Sequence, residues 1–417
     1  MLVAGTTGAH GEAPRPNVVL IMADDVGYEC VTANGGESYA TPRLDALAAA
    51  GMRFTRCHVQ PLCTPTRLEL MTGRSNVRNY VDFGMLPPGE QTFGNLFMAA
   101  GYATGICGKW QLGRAVDLPR RAGFAESFLW QHTRRPPRYA NPGLEIDGAE
   151  RDFAGGGYGP TLVNDFALDF ITRHRDEPFF LYYPMILAHS PFQPTPDSPD
   201  WDPRTEGERD NRHPRHFGEM MAYLDRMVGR LVDRLEQLGL RENTLLVFLG
   251  DNGTEQGVVS RFAGRDYPGG KGLTNHRGSH VPLIVNWPGV VPPGKVCNDL
   301  VAAVDFLPTI CAAARIAAPD GIDGRSFLSV LRGEAAGQRE WIYSWYSPRP
   351  KLSATVLESA FDTDFKLYRD GRFYDLRTDP EEAAPLPEQS GDAVGPAATA
   401  RAKLGEVLDG FAGLRGR

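Results

Sequence analysis

Cys63 and Arg67 stand four positions apart in Leu62-Cys63-Thr64-Pro65-Thr66-Arg67-Leu68-Glu69-Leu70-Met71-Thr72-Gly73. Pro65 suits a first helical turn, the apolar run continues it and Gly73 ends it, so Cys63 falls at or beside a helix N-cap. Free backbone N–H groups and the helix dipole favour an anion there. Arg67 lies on the same helix face with its fork directed back at that position. A nucleophile so placed can attack a tetrahedral oxyanion ester. Taken alone, the stretch reads equally as a buried cysteine on a capped helix.

Four other clusters change the balance. Asp24-Asp25, Gly108-Lys109-Trp110-Gln111, Ala188-His189-Ser190-Pro191-Phe192 and Gly250-Asp251-Asn252-Gly253 each follow an apolar run. Each singly is an ordinary cap or turn. Together they occupy equivalent positions beyond strand ends, where open α/β sheets bind ligands. Asp24, Asp25, Asp251 and Asn252 offer only hard oxygen atoms, a set for calcium or magnesium and not zinc. With no EF-hand loop, the ligands must converge from distant segments, an irregular geometry that calcium tolerates better than magnesium.

The elements that must position these groups are legible. Asn17–Met22, Ala103–Cys107, Phe179–Leu187, Thr244–Leu249 and Pro282–Asn286 are continuous apolar runs of the buried-strand kind. Thr41-Pro42 starts a helix that stops at Gly51, and Phe217 to Leu238 carries methionines and leucines at helical spacing, a stripe that reads as core. The alternation predicts an α/β domain with a mainly parallel or mixed sheet sandwiched by helices. From about Gly324 the texture becomes short antiparallel strands, Ile342–Tyr346, Val356–Phe361, Phe365–Arg369 and Arg372–Leu376, followed by a helix over Ala398 to Phe411. The expected division is an N-terminal extension (1–16), a catalytic domain (17–323) and a small C-terminal α+β subdomain (324–417). Three long loops, His132–Pro160, Ser190–His216 and Gly253–His280, read as functional or disordered.

At 417 residues with a net charge of -7, the chain has the core-forming length of a large domain and lacks the basic excess of a nucleic-acid binder. No apolar run reaches bilayer length, and no signal peptide is visible in the sequence as given. The six cysteines are too sparse for a disulfide scaffold or a zinc site.

Cys63-Thr64-Pro65-Thr66-Arg67 resembles the C-x-P-x-R signature of the type I, formylglycine-dependent sulfatases. Asp24-Asp25, Gly108-Lys109-Trp110, His189-Ser190-Pro191-Phe192, Asp251-Asn252-Gly253, Gly270-Lys271-Gly272 and Tyr374-Asp375-Leu376-Arg377-Thr378-Asp379-Pro380-Glu381 are similar to that family's other motifs, in its order. The resemblance covers nearly the whole chain. It implies an alkaline-phosphatase-like fold and hydrolysis of a sulfate ester, on a sulfated small molecule or glycan. By it, a formylglycine-generating enzyme oxidises Cys63 during maturation, and Asp24, Asp25, Asp251, Asn252 and residue 63 hold calcium. The hydrated aldehyde would attack sulfur, Arg67, Lys109 and Lys271 would neutralise the sulfate oxygens, and His189 would bind sulfate or protonate the departing alcohol. Family members of this kind are commonly exported, which implies a periplasmic or secreted enzyme.

Two positions depart from the family pattern. Gln111 stands where the family has histidine, and glutamine cannot serve as a base near neutral pH. Asn275-His276-Arg277-Gly278-Ser279-His280 replaces the family's Glu-Gly-Gly-x-Arg, so His276 or His280 is the candidate for the missing base and, with Gln111, for substrate contact. The nearest rival is a phosphate or phosphonate ester hydrolase of the same superfamily. A second is a catalytically impaired binder of sulfated glycans, motivated by Gln111 and by Arg134, Arg135 and Arg138, which read more simply as a solvated loop. Trp110, Trp130 and Trp201 are candidates for stacking on a sugar, or for packing.

Overall fold

A computed structural model of the chain describes residues 14–204, 213–334, 337, 339–351, 355–387 and 395–415. The expected N-terminal extension thus lies outside the described residues up to position 13, as do residues 205–212 of the Ser190–His216 loop. The central sheet takes β1 (Asn17–Ala23), β2 (Met52–His58), β3 (Ala103–Gly108), β4 (Glu126–Trp130), β5 (Gly143–Ile146), β6 (Ala149–Asp152), β7 (Phe179–Pro184) and β8 (Thr244–Gly250). A separate hairpin of β9 (Val259–Phe262) and β10 (Arg265–Pro268) intervenes before β11 (His280–Asn286), β12 (Lys295–Cys297) and β13 (Val301–Ala302). The spatial order is β12-β2-β11-β8-β1-β7-β3-β4-β5-β6, with β13 also on β2. The run β8-β1-β7-β3-β4 is parallel, whereas β11 is antiparallel to both β8 and β2.

Residues of β1 alternate between two cores. Val18, Leu20 and Met22 pack with Phe93, Phe97, Phe180 and Leu245 on one face. Val19, Ile21 and Ala23 pack with Leu44, Met220, Leu224 and Leu231 on the other. Both faces are covered by helices, so every residue of β1 is buried and the run from Val18 to Ala23 is apolar throughout instead of alternating. Each large side chain so buried contributes roughly 1.5–3 kcal/mol. The methionine stripe of the Phe217–Gln237 helix, Met220, Met221 and Met227, is core as expected.

The C-terminal region forms an antiparallel sheet of β14 (Ile342–Tyr346), β15 (Leu357–Phe361), β16 (Phe365–Tyr368) and β17 (Phe373–Asp375). The Pro396–Phe411 helix closes over it, and Phe411 stacks on Tyr343 with ring centroids 3.8 Å apart. Tyr343, Trp345 and Leu404 share one apolar cluster with Phe306 and Leu307, so the core is continuous across the expected boundary at 323.

Two of the three long loops contain hairpins. In His132–Pro160, β5 and β6 extend the sheet edge through Asp147 (φ 49°) and Gly148 (φ 85°), the left-handed pair of a tight turn. All of β6, Ala-Glu-Arg-Asp, is exposed. Charged edge strands of this kind protect a sheet from pairing with another chain and erase the apolar alternation by which a strand is read.

Candidate active site

The parallel strands deliver their ends together. Ala23 stands opposite Gly250 and Met22 opposite Pro184, so the residues just past β1, β7 and β8 emerge side by side. Backbone hydrogen bonds continue beyond the strands: Asp251 N–H donates to Ala23 O at 2.9 Å, Asp24 N–H to Leu187 O at 2.9 Å and Lys109 N–H to Pro184 O at 2.8 Å. Gly108 makes the last bond possible. Its φ is +118°, and a Cβ there would lie 1.9 Å from the Pro184 carbonyl oxygen.

These segments carry a largely buried ion-pair array, with Lys271 and His189 at its partly exposed edge. Lys109 Nζ lies 2.6 Å from Asp24 Oδ2, and Lys271 Nζ lies 2.6 Å from Asp25 Oδ2. Arg67 donates through Nη2 to Asp251 Oδ2 at 3.0 Å and through Nη1 to the Lys109 carbonyl at 2.8 Å. Asp25 N–H donates to Asp251 Oδ1 at 3.0 Å, and Asn252 Nδ2 to Asp25 Oδ1 at 2.8 Å. His189 turns Nε2 toward Asp25 Oδ2 at 3.8 Å. Asp25 holds a left-handed φ of 59°, a conformation that costs a non-glycine residue about 1–3 kcal/mol and persists where the surroundings enforce it.

Burial and charge compete at each group. Burial raises the pKa of Asp24, but Lys109, His189, Arg67 and Lys271 outweigh it and hold the carboxyl well below its usual range. Asp25 is lowered likewise, burial being overcome chiefly by Lys271. Asp251 goes the other way: burial and the Asp24 charge push it up to about 7 despite Arg67. Burial takes His189 down to about 3, leaving it neutral.

Cys63 opens the Cys63–Thr72 helix and is buried, with Leu62 extended at the cap and no side chain bonded to the free N–H groups there. Thr66 Oγ1 anchors the entry by donating to the Gln60 carbonyl at 3.1 Å. Burial raises the Cys63 thiol above its ordinary pKa, Lys109 only partly offsetting it. At neutral pH the unmodified side chain is therefore a thiol and a poor nucleophile.

The donor set fits a hard divalent cation. Asp24, Asp25, Asp251 and Asn252 are fully buried, and Asp24 Oδ1 and Asn252 Oδ1 have no hydrogen-bond partner. Buried acceptors without partners are rare and call for an explanation. Asp24, Asp25 and His189 also bring ligand atoms within 4.8 Å of one another.

The residues expected at the site are not all brought to it. Asp24, Asp25, Arg67, Lys109, His189, Asp251, Asn252 and Lys271 converge. Gln111 flanks them with φ 53°, its Oε1 buried and unpartnered. His276 and His280 go elsewhere, which corrects the expectation that either fills the gap at Gln111. The pairing of β11 with β2 sets His280 opposite His58, and the rings of His58 and His280 stack with centroids 5.0 Å apart. His276 packs edge-on against His58 at 5.0 Å, and His280 also stacks on Tyr28 at 4.0 Å. Trp110 is buried in the core and Trp201 packs against Tyr158.

Sequence reasoning missed two supports. Glu29, buried and raised in pKa by that burial, accepts a hydrogen bond from Thr254 Oγ1, which itself accepts one from Gly27 N–H at 3.1 Å. This ties the loop after Asp25 to the loop after Asn252. Arg138 donates to Nδ1 of His189 at 3.1 Å and lies over the Trp130 ring at 4.1 Å. It is therefore no solvated loop residue, and nothing in its Arg/Pro-rich segment signalled this.

Comparison with known proteins gives the family. The sulfatase family model matches residues 16–316, and the model for the C-terminal region of N-sulphoglucosamine sulphohydrolase matches residues 271–394. The chain belongs to the sulfatase family. This sulfatase is similar to human arylsulfatase A, at 34% identity over 393 residues covering 83% of this chain and 73% of the relative. It is also similar to dog N-acetylgalactosamine-6-sulfatase, at 30% identity over 381 residues covering 82% and 71%. Among solved structures, Ps i-CgsB in complex with k-i-k-neocarrahexaose has the same fold, with a TM-score of 0.80 at 24% identity over 96% of this chain and 93% of that one. The sulfatase is accordingly a sulfuric ester hydrolase by family.

Proposed function

We propose that this chain hydrolyses a sulfate ester on a sulfated carbohydrate, with Cys63 matured to formylglycine and a calcium ion bound beside it. The observation that carries the reading is the position of Cys63 at a free helix N-terminus, against a buried array of three carboxylates, an asparagine with an unpartnered oxygen, and three cations. Asp24, Asp25, Asp251 and Asn252, with the oxidised residue 63, would hold the ion, which would add positive charge where sulfate oxygens must sit. The formylglycine hydrate would supply an oxygen nucleophile that the buried thiol cannot. Arg67, fixed at both Nη atoms, presents its charge without reorganising. Lys109 and Lys271 rest on Asp24 and Asp25 and can turn to the sulfate group. Neutral His189 offers Nε2 toward the departing alcohol oxygen, and Gln111 offers an amide to the substrate. The family resemblance supports a periplasmic or secreted location. Among the described residues no helix is long and apolar enough to cross a membrane.

The test is co-expression with a formylglycine-generating enzyme, mass measurement of the Cys63 peptide, and matched assays on 4-nitrophenyl sulfate and 4-nitrophenyl phosphate with calcium. The expected result is an aldehyde or hydrate mass and preferred release of sulfate. An unmodified thiol under conditions that convert a control sulfatase, or faster cleavage of the phosphate ester, would overturn the reading.

A further inference from the structure

Arg134, Arg135 and Arg138 belong to one short segment but meet different fates. Arg134 is paired, 3.0 Å from Glu150 and 2.9 Å from Asp152 on the exposed hairpin. Arg135 and Arg138, together with Arg114 from the loop after Gln111, have no carboxylate partner among the described residues. On a chain with 51 acidic and 44 basic residues, acidic partners are not scarce, and arginines elsewhere find them: Arg173 takes both Glu126 and Asp169, Arg339 takes Asp305 and Arg78 takes Asp323.

Arg135 stands close enough to Arg114, to Arg138 and to Cys63 for their charges to interact. Arg138 is clamped by the Trp130 ring at 4.1 Å and by His189 Nδ1 at 3.1 Å, which aims its guanidinium at the site. Arg135 keeps a left-handed φ of 58°. Its Nη2 and the carbonyl oxygen of Gln111 both come within 4.0 Å of the position a Cβ would take on Gly84. Gly84 N–H in turn donates to Thr64 Oγ1 at 3.1 Å, one residue from Cys63. Burial and the neighbouring charges of Arg114 and Arg138 lower the pKa of Arg135, while Cys63 acts in the opposite sense. Like charges gathered without counter-ions repel one another, and a planar guanidinium fork is shaped to take a carboxylate or sulfate through two parallel hydrogen bonds.

We infer that Arg114, Arg135 and Arg138 form a second anion subsite, and that the substrate carries a second anionic group, a carboxylate or a further sulfate, beside the ester that is cleaved. This rests on the sulfatase reading of the neighbouring site and narrows it to polyanionic substrates. Arg138 also steadies His189, so the variants that test the subsite are Arg114→Gln and Arg135→Gln, singly and together. Both side chains reach solvent, Arg135 partly covered, and the melting temperature of each variant checks its fold.

The probes are 4-nitrophenyl sulfate, its ring-carboxylated derivatives and a ring disulfate. Matured parent and variants are compared by the ratio of kcat/KM on each dianionic probe to kcat/KM on the monoanionic one. The ratio should fall about 10–100-fold in the double variant, as expected for the loss of charge-assisted hydrogen bonds. The carboxylated and disulfated probes separate the two sources of charge. The same ratio in parent and double variant would overturn the subsite. Binding of the same probes to the unmatured protein, followed by calorimetry, needs no turnover. If no aryl sulfate is cleaved but the double variant loses affinity for the dianionic probes alone, the subsite stands and the sulfatase mechanism falls. Equal affinities would remove the subsite.

Discussion

Acidification should remove the stability contributed by the histidine cluster that the active site does not use. His58, His276 and His280 pack ring against ring, His58 fully buried and the others half-buried. Burial, then neighbouring histidine charge, holds His280 down to about 3 from an ordinary value of 6.5, while the bond from Nε2 to Thr55 O opposes the shift. His276 is lowered to about 4, by burial and Lys366. A folded pKa below the unfolded one means that the unfolded chain binds more protons, so the contribution to stability is complete above pH 6.5 and is lost as pH falls. Between pH 7 and pH 5 a group held at about 3 forfeits about 2 kcal/mol, which partial exposure reduces to about 1–2 kcal/mol. The parent curve alone cannot reveal this, because Glu69, raised by burial to about 8, changes stability in the opposite sense over the same range. The difference between parent and His280→Gln isolates the histidine, since glutamine keeps a donor for Thr55 O and cannot charge. Urea unfolding at pH 7 and pH 5 should show His280→Gln losing about 1–2 kcal/mol less than the parent. Equal losses in the two proteins would refute the argument.

Calcium at about 100 times its dissociation constant should raise stability by about 2.7 kcal/mol, seen as a higher melting temperature reversed by a chelator, and Asp24→Asn should abolish the shift. Arg67→Ala should lower kcat/KM about 100–1000-fold. It should also destabilise the fold by about 3–5 kcal/mol at alkaline pH, because Asp251 is left buried and unpaired, and by less near pH 6, where Asp251 can take a proton, a difference that denaturant titration measures. Gly108→Ala should cost more than about 3 kcal/mol, since the added methyl meets the Pro184 carbonyl and the φ is left-handed; a melting temperature within a degree or two of the parent's would contradict that.

The parallel strands and their polar termini were legible because a strand covered on both faces is apolar at every position, so the break at Asp24, Lys109 or Asp251 is abrupt. The hairpin of β5 and β6 was not, because its exposed strand has no buried face to write a pattern. The placement of His276 and His280 failed for another reason. Proximity along the chain to Lys271 suggested the site, but the register of β11 against β2 carries His280 to His58 instead, and register is a pairing property that one strand's composition does not hold. Arg138 was hidden for the converse reason. Its segment is all arginine, proline and tyrosine, and only the folded position of Trp130 and His189 distinguishes it from Arg134.

The charges of the site explain why its parts must be assembled together. Asp24, Asp25 and Asp251 face Lys109, Lys271 and Arg67 as three pairs, an array near neutrality, with Asp251 strained up to about 7 because it is the carboxylate least well compensated. A divalent cation would relieve that strain and leave the array at about two positive charges. A sulfate monoester brings one negative charge, so a net positive charge of about one remains in a buried, low-dielectric space where it acts strongly. That excess is directed at whatever negative charge develops as the ester bond breaks, which is the condition for binding the transition state more tightly than the ground state. Any lost carboxylate would raise the excess and any lost cation would cancel it. The three pairs are therefore one electrostatic unit, and single substitutions within it should prove far from additive.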